Sequence, residues 1–207
     1  CSPLSEDRKQ NNLDLDNAAV IVYTSGSTSG VPKGVILTND NLNAVADSYK
    51  SAKLELHRGQ TTLNIMPPFI AYGVTCGIHL PFCFGTKNVP IPKFKPQDLP
   101  KLLKKYKPQT FMGVPAHFDA IIKSDELKNE SLKYLKTPSG GGAPLSKKLE
   151  VEVNDFFKSH GCNAKIIKGY GMTELSSSCI TTQNNVNSVG SVGVPLIKNN
   201  VSIFEPD

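Results

Sequence analysis

Short apolar, β-branched runs alternate with stretches of helical spacing along almost the whole chain, and this alternation limits the fold more than any other feature. AAVIVY (18–23), QTTLNIMP (60–67), KNVPIPKF (87–94), QTFMGVP (109–115) and the start of AKIIKGYGMTE (164–174) read as strands. TNDNLNAVADSYKSAK (38–53), residues 69–79, PQDLPKLLKKYK (96–107), HFDAIIKSDEL (117–127) and SKKLEVEVNDFFKSHG (146–161) read as helices. LKYLKTPSGGGAPL (132–145) runs from a strand into a glycine turn, and NVSIFEPD (200–207) begins a last strand. Strands that alternate with helices build βαβ units, so the expectation is an α/β fold with a mostly parallel sheet flanked by helices. AAVIVY has no polar alternation, which predicts a strand buried on both faces.

YTSGSTSGVPKGV (23–35) follows the first strand directly. Such a stretch is either a flexible linker or a loop whose backbone N–H groups, hydroxyls and lysine surround phosphate. In open α/β sheets ligands sit at the carboxyl ends of strands. The segments at 24–34, at 139–144 and at GYGMTE (169–174) all follow expected strands, which favours the phosphate loop. The pattern is not G-x-x-x-x-G-K-[ST]: from Gly26 the second glycine position holds Val31, and Lys33 is followed by Gly34. No G-x-G-x-x-G occurs either.

Bulk properties remove several other classes. At 207 residues with 39% hydrophobic and 20% charged residues, the chain can bury a core and is not compositionally disordered. The net charge of +5 is spread out without interleaved aromatics, so nucleic acid is not an expected partner. Cys1, Cys76, Cys83, Cys162 and Cys179 form no C-x-x-C pair and read as reduced, buried thiols of a cytoplasmic protein. The longest apolar run, 69–85, contains His79 and Pro81 and falls short of a transmembrane segment. His57, His79, His117 and His160 read as structural or exposed; His117, after GVPA, is the one near a candidate acyl pocket.

TSGSTSGVPKG, PPFIAYG (67–73), GVP (113–115), GGGAPL (140–145), GYGMTE and GSVGVPL (190–196) together resemble the adenylate-forming enzymes: acyl-CoA synthetases, luciferases and the adenylation domains of peptide synthetases. Order and approximate spacing match in all six blocks. The resemblance implies an incomplete AMP-binding core at 17–207, part of the family's large domain, behind a polar segment at 1–16. It implies that Thr24, Ser25, Gly26, Ser27, Thr28, Ser29, Gly30 and Lys33 hold the β- and γ-phosphates of ATP. Gly141, Gly142 and Ala143 would lie along the adenine edge, Tyr170 on its face, and Gly171 and Met172 beside it. Thr173 would bond the α-phosphate and Glu174 would ligate Mg²⁺. Lys33, Thr173 and Glu174 would be the catalytic groups. Ile70, Ala71, Tyr72, Gly73 and His117 would border the acyl pocket, although Ile70 to Gly73 would serve equally as core packing.

The implied reaction is attack of a carboxylate on the α-phosphorus of ATP, release of pyrophosphate, and transfer of the acyl group to coenzyme A. Ile70 stands where amino-acid-activating relatives carry Asp, and burying an unpaired ammonium costs several kcal/mol, so a fatty or aryl acid is expected. Ser29 lengthens the phosphate loop by one residue, as in some fatty-acyl-AMP-forming relatives, which leaves a carrier protein open as acceptor. A non-catalytic nucleotide-binding module is the alternative from another class. The family's upstream segment, ribose-binding Asp, hinge and C-terminal lysine have no counterpart in these residues, so the chain alone is expected to turn over little. Peripheral membrane association of a longer parent is left open.

Overall fold

The structure, a computed structural model, describes residues 17–24, 31–52, 54–183 and 185–205. Two sheets form. β1 (Ala18–Thr24) and β2 (Lys33–Thr38) pair as an antiparallel two-stranded ribbon. The remaining strands are β3 (Thr61–Asn64), β4 (Lys87–Pro90), β5 (Thr110–Gly113), β6 (Thr137–Gly140), β7 (Ile167–Met172), β8 (Ser177–Thr181) and β9 (Val194–Pro195). They make one seven-stranded sheet of order β4-β3-β5-β6-β7-β8-β9. The first five of these strands pair in parallel and the last two antiparallel, which is the mostly parallel α/β sheet expected.

The helices are α1 (Asn39–Ser51), α2 (Leu80–Cys83), α3 (Leu99–Tyr106), α4 (Pro115–Ile122) and α5 (Lys147–Ser159). Local chemistry sets their starts. Thr38 Oγ1 accepts from the Asn41 N–H while Asn41 Oδ1 accepts from the Thr38 N–H, a reciprocal cap for α1. Ser146 accepts from the Leu149 N–H to start α5. The four parallel crossovers read as helices from the sequence, and each contains one. The segment Tyr72–His79 winds as a π-helix, continued by α2; the Leu80 N–H bonds five residues back to Thr75 O. Gly73 makes this path passable, since any Cβ there would land on the Pro67 carbonyl.

Period-two alternation divides the parallel strands between two faces. Leu63, Phe111 and Ile166 point to one side, where α3, α4 and α5 close the main core with Leu103, Phe118 and Phe157. Thr62, Thr110, Met112, Thr137 and Ile167 point to the other, beneath α1 and the π-helix. The first face holds the largest cluster of buried apolar side chains among the described residues, and burial of that kind contributes about 25 cal/mol per Å² of apolar area removed from water. The second face is not filled.

Four expectations from sequence are corrected. β1 is not buried on both faces: Val22 packs with Leu37, Leu42 and Ala71, whereas Ile21, Tyr23 and Ile36 are exposed on the other side of the ribbon. KGVILT forms β2, so the glycine-rich segment follows a strand of the antiparallel ribbon and not one of the parallel sheet. Residues 200–205 form no strand; β9 lies earlier, inside GVP of the GSVGVPL block, held by the Leu196 N–H to Cys179 O. Of the cysteines, Cys76, Cys162 and Cys179 are buried, but Cys83 is exposed at the end of α2. Cys1 and the segment 1–16 lie outside the described residues.

Candidate functional site

A cavity of about 210 Å³ lies between the second sheet face and the α1/π-helix layer. Its mouth is at the carboxyl end of the parallel strands, where residues 140–142 and 170–173 line it together. Ile70, Ala71 and Tyr72 line it from the π-helix side. Three sequence blocks separated by roughly a hundred residues in total thus share one space. No charged side chain is among the described lining residues.

The hexapeptide GYGMTE is built on an irregularity. β7 runs through GYGM, so the expected turn after the strand begins only at Thr173. The β7–β8 register shifts between Tyr170 and Gly171, a bulge that kinks the strand and re-aims its side chains. A Cβ on Gly171 would collide with the Ser177 carbonyl. Ser176 and Ser177 then take positive φ, +59° and +132°. Strained non-glycine backbone persists where surrounding structure over-determines it. Here β8, Tyr49 and Cys76 do so: Tyr49 Oη donates to Ser178 Oγ at 3.0 Å, and Cys76 Sγ lies 3.2 Å from Ser177 Oγ. Tyr170 is left 52% exposed, free to present its ring.

β2, which carries Lys33, passes within 8 Å (Cα) of the Thr173–Leu175 turn. Thr24 pairs with Lys33 to close the hairpin. Lys33 and Glu174 are both exposed. β2 and the turn that follows GYGM therefore lie on one side of the molecule. Ser25, Gly26, Ser27, Thr28, Ser29 and Gly30 lie outside the described residues.

Gly141 and Gly142 turn back over Tyr72: Cβ atoms placed on them would sit 3.6 and 3.8 Å from its ring. Ala143 continues this turn but does not line the cavity. Gly73 faces Pro67 and is not part of the wall. His117 is a correction as well. It is buried in α4, accepts from the Val114 N–H through Nδ1 at 3.1 Å, and stands edge-on to Phe94 with centroids 5.0 Å apart. Burial lowers its pKa to about 4, which keeps Nδ1 available as acceptor. It caps a helix and does not line the cavity.

Several lining residues had no motif to announce them. Met112 and Ser139 lie just before GVP and GGG, and Tyr49, Thr62, Thr110 and Thr137 sit in unremarkable strand and helix sequence. Alternation along β3, β5 and β6 places Thr62, Thr110, Met112, Thr137 and Ser139 on a common face, and Tyr49 reaches it from α1. Cys76 also lines the cavity, but burial raises its thiol to about 11, so it stays protonated and is no nucleophile.

The group the resemblance implies can be tested against these residues. Mg²⁺ favours one or two carboxylates completed by substrate phosphates and water over an all-protein cage. Among the described residues there is no cluster of three His, Cys, Asp or Glu, and Glu174 is an exposed carboxylate beside the cavity mouth. That donor set fits a phosphate-bound Mg²⁺.

The family model for AMP-binding enzymes matches residues 2–207. This chain belongs to the AMP-binding enzyme family. It is 31% identical over 199 residues to a long-chain-fatty-acid–CoA ligase of Bacillus subtilis (strain 168), covering 94% of this chain and 34% of the relative. It is likewise 31% identical over 194 residues to probable 4-coumarate–CoA ligase 1 of Dictyostelium discoideum, covering 92% and 34%. The chain thus spans about a third of the length of the curated relatives it matches. ATP-bound MatB from Rhodopseudomonas palustris superposes with a TM-score of 0.75 at 24% identity, over 88% of this chain and 34% of that one. MenE, the o-succinylbenzoate CoA synthetase of Bacillus subtilis, in complex with its acyl-adenylate OSB-AMP, gives 0.75 at 24%, over 89% and 36%. These likenesses establish the adenylate-forming fold.

Proposed function

We propose that this chain carries the nucleotide half and much of the acyl half of a site that activates a carboxylic acid with ATP and passes it to coenzyme A. The observation that supports this reading is the shared cavity: 140–142, 170–173 and 70–72 border one space, with Lys33 on the strand that approaches Thr173–Leu175. Thr24, Lys33 and the hydroxyl-rich loop between them would take the β- and γ-phosphates, where backbone N–H groups and one cation offset the charge. Tyr170 would stack on adenine, with 141–143 along its edge, and Thr173 would donate to the α-phosphate. Glu174 would hold Mg²⁺, which would supply positive charge to offset that of the phosphates.

In the reaction, a carboxylate oxygen forms a bond to the α-phosphorus as the bond to the β-phosphate bridging oxygen breaks, and pyrophosphate leaves with that electron pair. The thiolate of coenzyme A then displaces AMP from the acyl carbon. Both steps bring anions together, so positioning and charge stabilisation dominate. The uncharged wall offers no partner to a substrate ammonium, and a desolvated one would cost several kcal/mol. Neutral-tailed acids, fatty or aryl, are therefore the substrate class.

Because the chain spans a third of its relatives, ligand binding is the direct readout. Calorimetric titration of ATP with and without Mg²⁺ is expected to show tighter binding with the metal, and Glu174→Ala is expected to abolish that gain. An unchanged Mg²⁺ dependence in Glu174→Ala would remove Glu174 from the site and favour a nucleotide-binding module without this chemistry.

A further inference from the structure

Four threonines close the inner end of the cavity. Thr86, Thr62, Thr110 and Thr137 stand side by side across β4, β3, β5 and β6; Thr62 pairs with Thr110 and Thr110 with Thr137 in parallel register, and Thr86 directly precedes β4. All four line the cavity and all are buried. The row is tied to the chain on both sides. Thr86 Oγ1 and the Thr86 N–H donate to Pro81 O at 3.3 and 2.9 Å, and Thr62 donates to Thr86 Oγ1 at 2.9 Å. Thr137 Oγ1 donates to Glu55 O at 3.2 Å. The turn after α2 and the segment between α1 and β3 are therefore both fastened to the sheet at this level.

Between the two ties the packing is closed: Thr110 Oγ1 is sealed from solvent and has no hydrogen-bond partner. Leu54, Leu80 and Pro81 beside the row are buried, and Leu56 and Phe84 are half-buried. Among the described residues this end offers a ligand neither a free donor nor a way through. Its depth follows from the strand that leads to it. From Thr137 to Gly140, β6 rises roughly 10 Å. An extended chain advances about 3.3–3.6 Å over three bonds, so a saturated tail covers that depth in about eight bonds.

We propose that the threonine row, with Phe84 beside it, is a floor that limits the length of the acyl group. The site takes medium-chain or aryl acids whose far end lies within about eight bonds of the carboxyl carbon, and it excludes long-chain fatty acids. A phenylpropenoate, whose ring ends closer than that, fits. A longer tail meets the Thr62–Thr86–Pro81 tie and has to displace Phe84, and forcing extra methylenes into a closed apolar end is unfavourable. The inference rests on the acid-activation reading above and narrows its substrate class by length.

The test is calorimetric binding of straight-chain acids from hexanoate to dodecanoate, with phenylpropenoate beside them, to the 207-residue chain. Affinity is expected to rise about fourfold per methylene until the tail reaches the floor near nonanoate. It is then expected to level or fall, so that dodecanoate binds about tenfold or more below the extrapolated trend. Phe84→Ala opens the floor and is expected to carry the rise to longer acids while leaving hexanoate affinity nearly unchanged; Phe84→Leu removes less volume and is expected to move the break less. A rise that continues unbroken to dodecanoate in the native chain overturns the proposal and leaves acid activation standing. A break that Phe84→Ala leaves at the same length overturns it too. Acids that bind at no length while ATP binds overturn it together with the acyl half of the site; absence of ATP binding as well overturns the acid-activation reading itself.

Discussion

Gly171 and His117 mark the two ways a single residue governs this site. Gly171 is the point where β7 and β8 touch backbone to backbone at the bulge, and an added methyl has no flexible neighbour to displace. Gly171→Ala is expected to cost several kcal/mol in denaturant unfolding and, in any folded fraction, to shift Tyr170 out of the cavity mouth and weaken nucleotide binding at least tenfold. His117 works at a distance, by holding α4 to the end of β5. Its neutral ring is required in the fold, whereas the unfolded ring titrates near the ordinary value of about 6.5. Between about 6.5 and 4 the unfolded state binds more protons, so stability is full above that window and falls as pH drops through it. The melting temperature of the native chain is expected to fall by more than that of His117→Gln over the same range. Equal pH slopes for the two proteins would contradict the assigned role.

At the scale of elements, a buried ion pair fastens α5, β7 and the last glycine turn to one another. Lys168 Nζ bonds to Glu150 and donates to Ser188 O at 2.8 Å, and the Gly190 N–H donates to Glu150 Oε2 at 2.9 Å. Lys168 immediately precedes GYGMTE, so the GSVGVPL block is anchored to β7, the strand that carries GYGM. Lys168→Met leaves an uncompensated buried carboxylate and is expected to destabilise by about 3–5 kcal/mol in urea unfolding. The double variant Lys168→Met, Glu150→Leu is expected to recover most of that loss.

The same elements show where sequence patterns were readable. α1 and α5 were legible from caps and apolar spacing because both signals are local. β2 was not: KGVILT follows a glycine-rich loop and pairs with β1, and which strand it joins is a non-local choice. β1 was read as doubly buried because an apolar run does not say how many faces are covered. β8 carries SSCIT, with buried Ser177 and Thr181, and no apolar alternation to signal it. The π winding of Tyr72–His79 likewise follows from the close approach at Gly73, which involves Pro67 in tertiary contact.

Across the whole molecule, the two sheet faces have different tasks. One is filled by α3, α4 and α5, and its Leu, Phe and Ile residues belong to the largest cluster of buried apolar side chains among the described residues. The other is held open beneath a bridge of α1 and the π-helix, and nearly every proposed contact with acid or nucleotide faces that space. Among the described residues no helix is long and apolar enough to cross a membrane. The β1–β2 ribbon adds an exposed apolar face, Ile21, Tyr23 and Ile36, to one flank. A two-stranded ribbon is marginal by itself, and here packing against Leu42 and Ala71 supports its other face.

The sequence by itself determined the α/β class, the family blocks and their order, because periodicity and glycine-rich turns are encoded within short windows. Only the tertiary structure decided that GYGM is strand with a bulge, that His117 caps a helix, and that four threonines with no motif between them form one hydroxyl row. Those facts depend on which strands become neighbours and in what register, and that is fixed by the packing of the whole sheet.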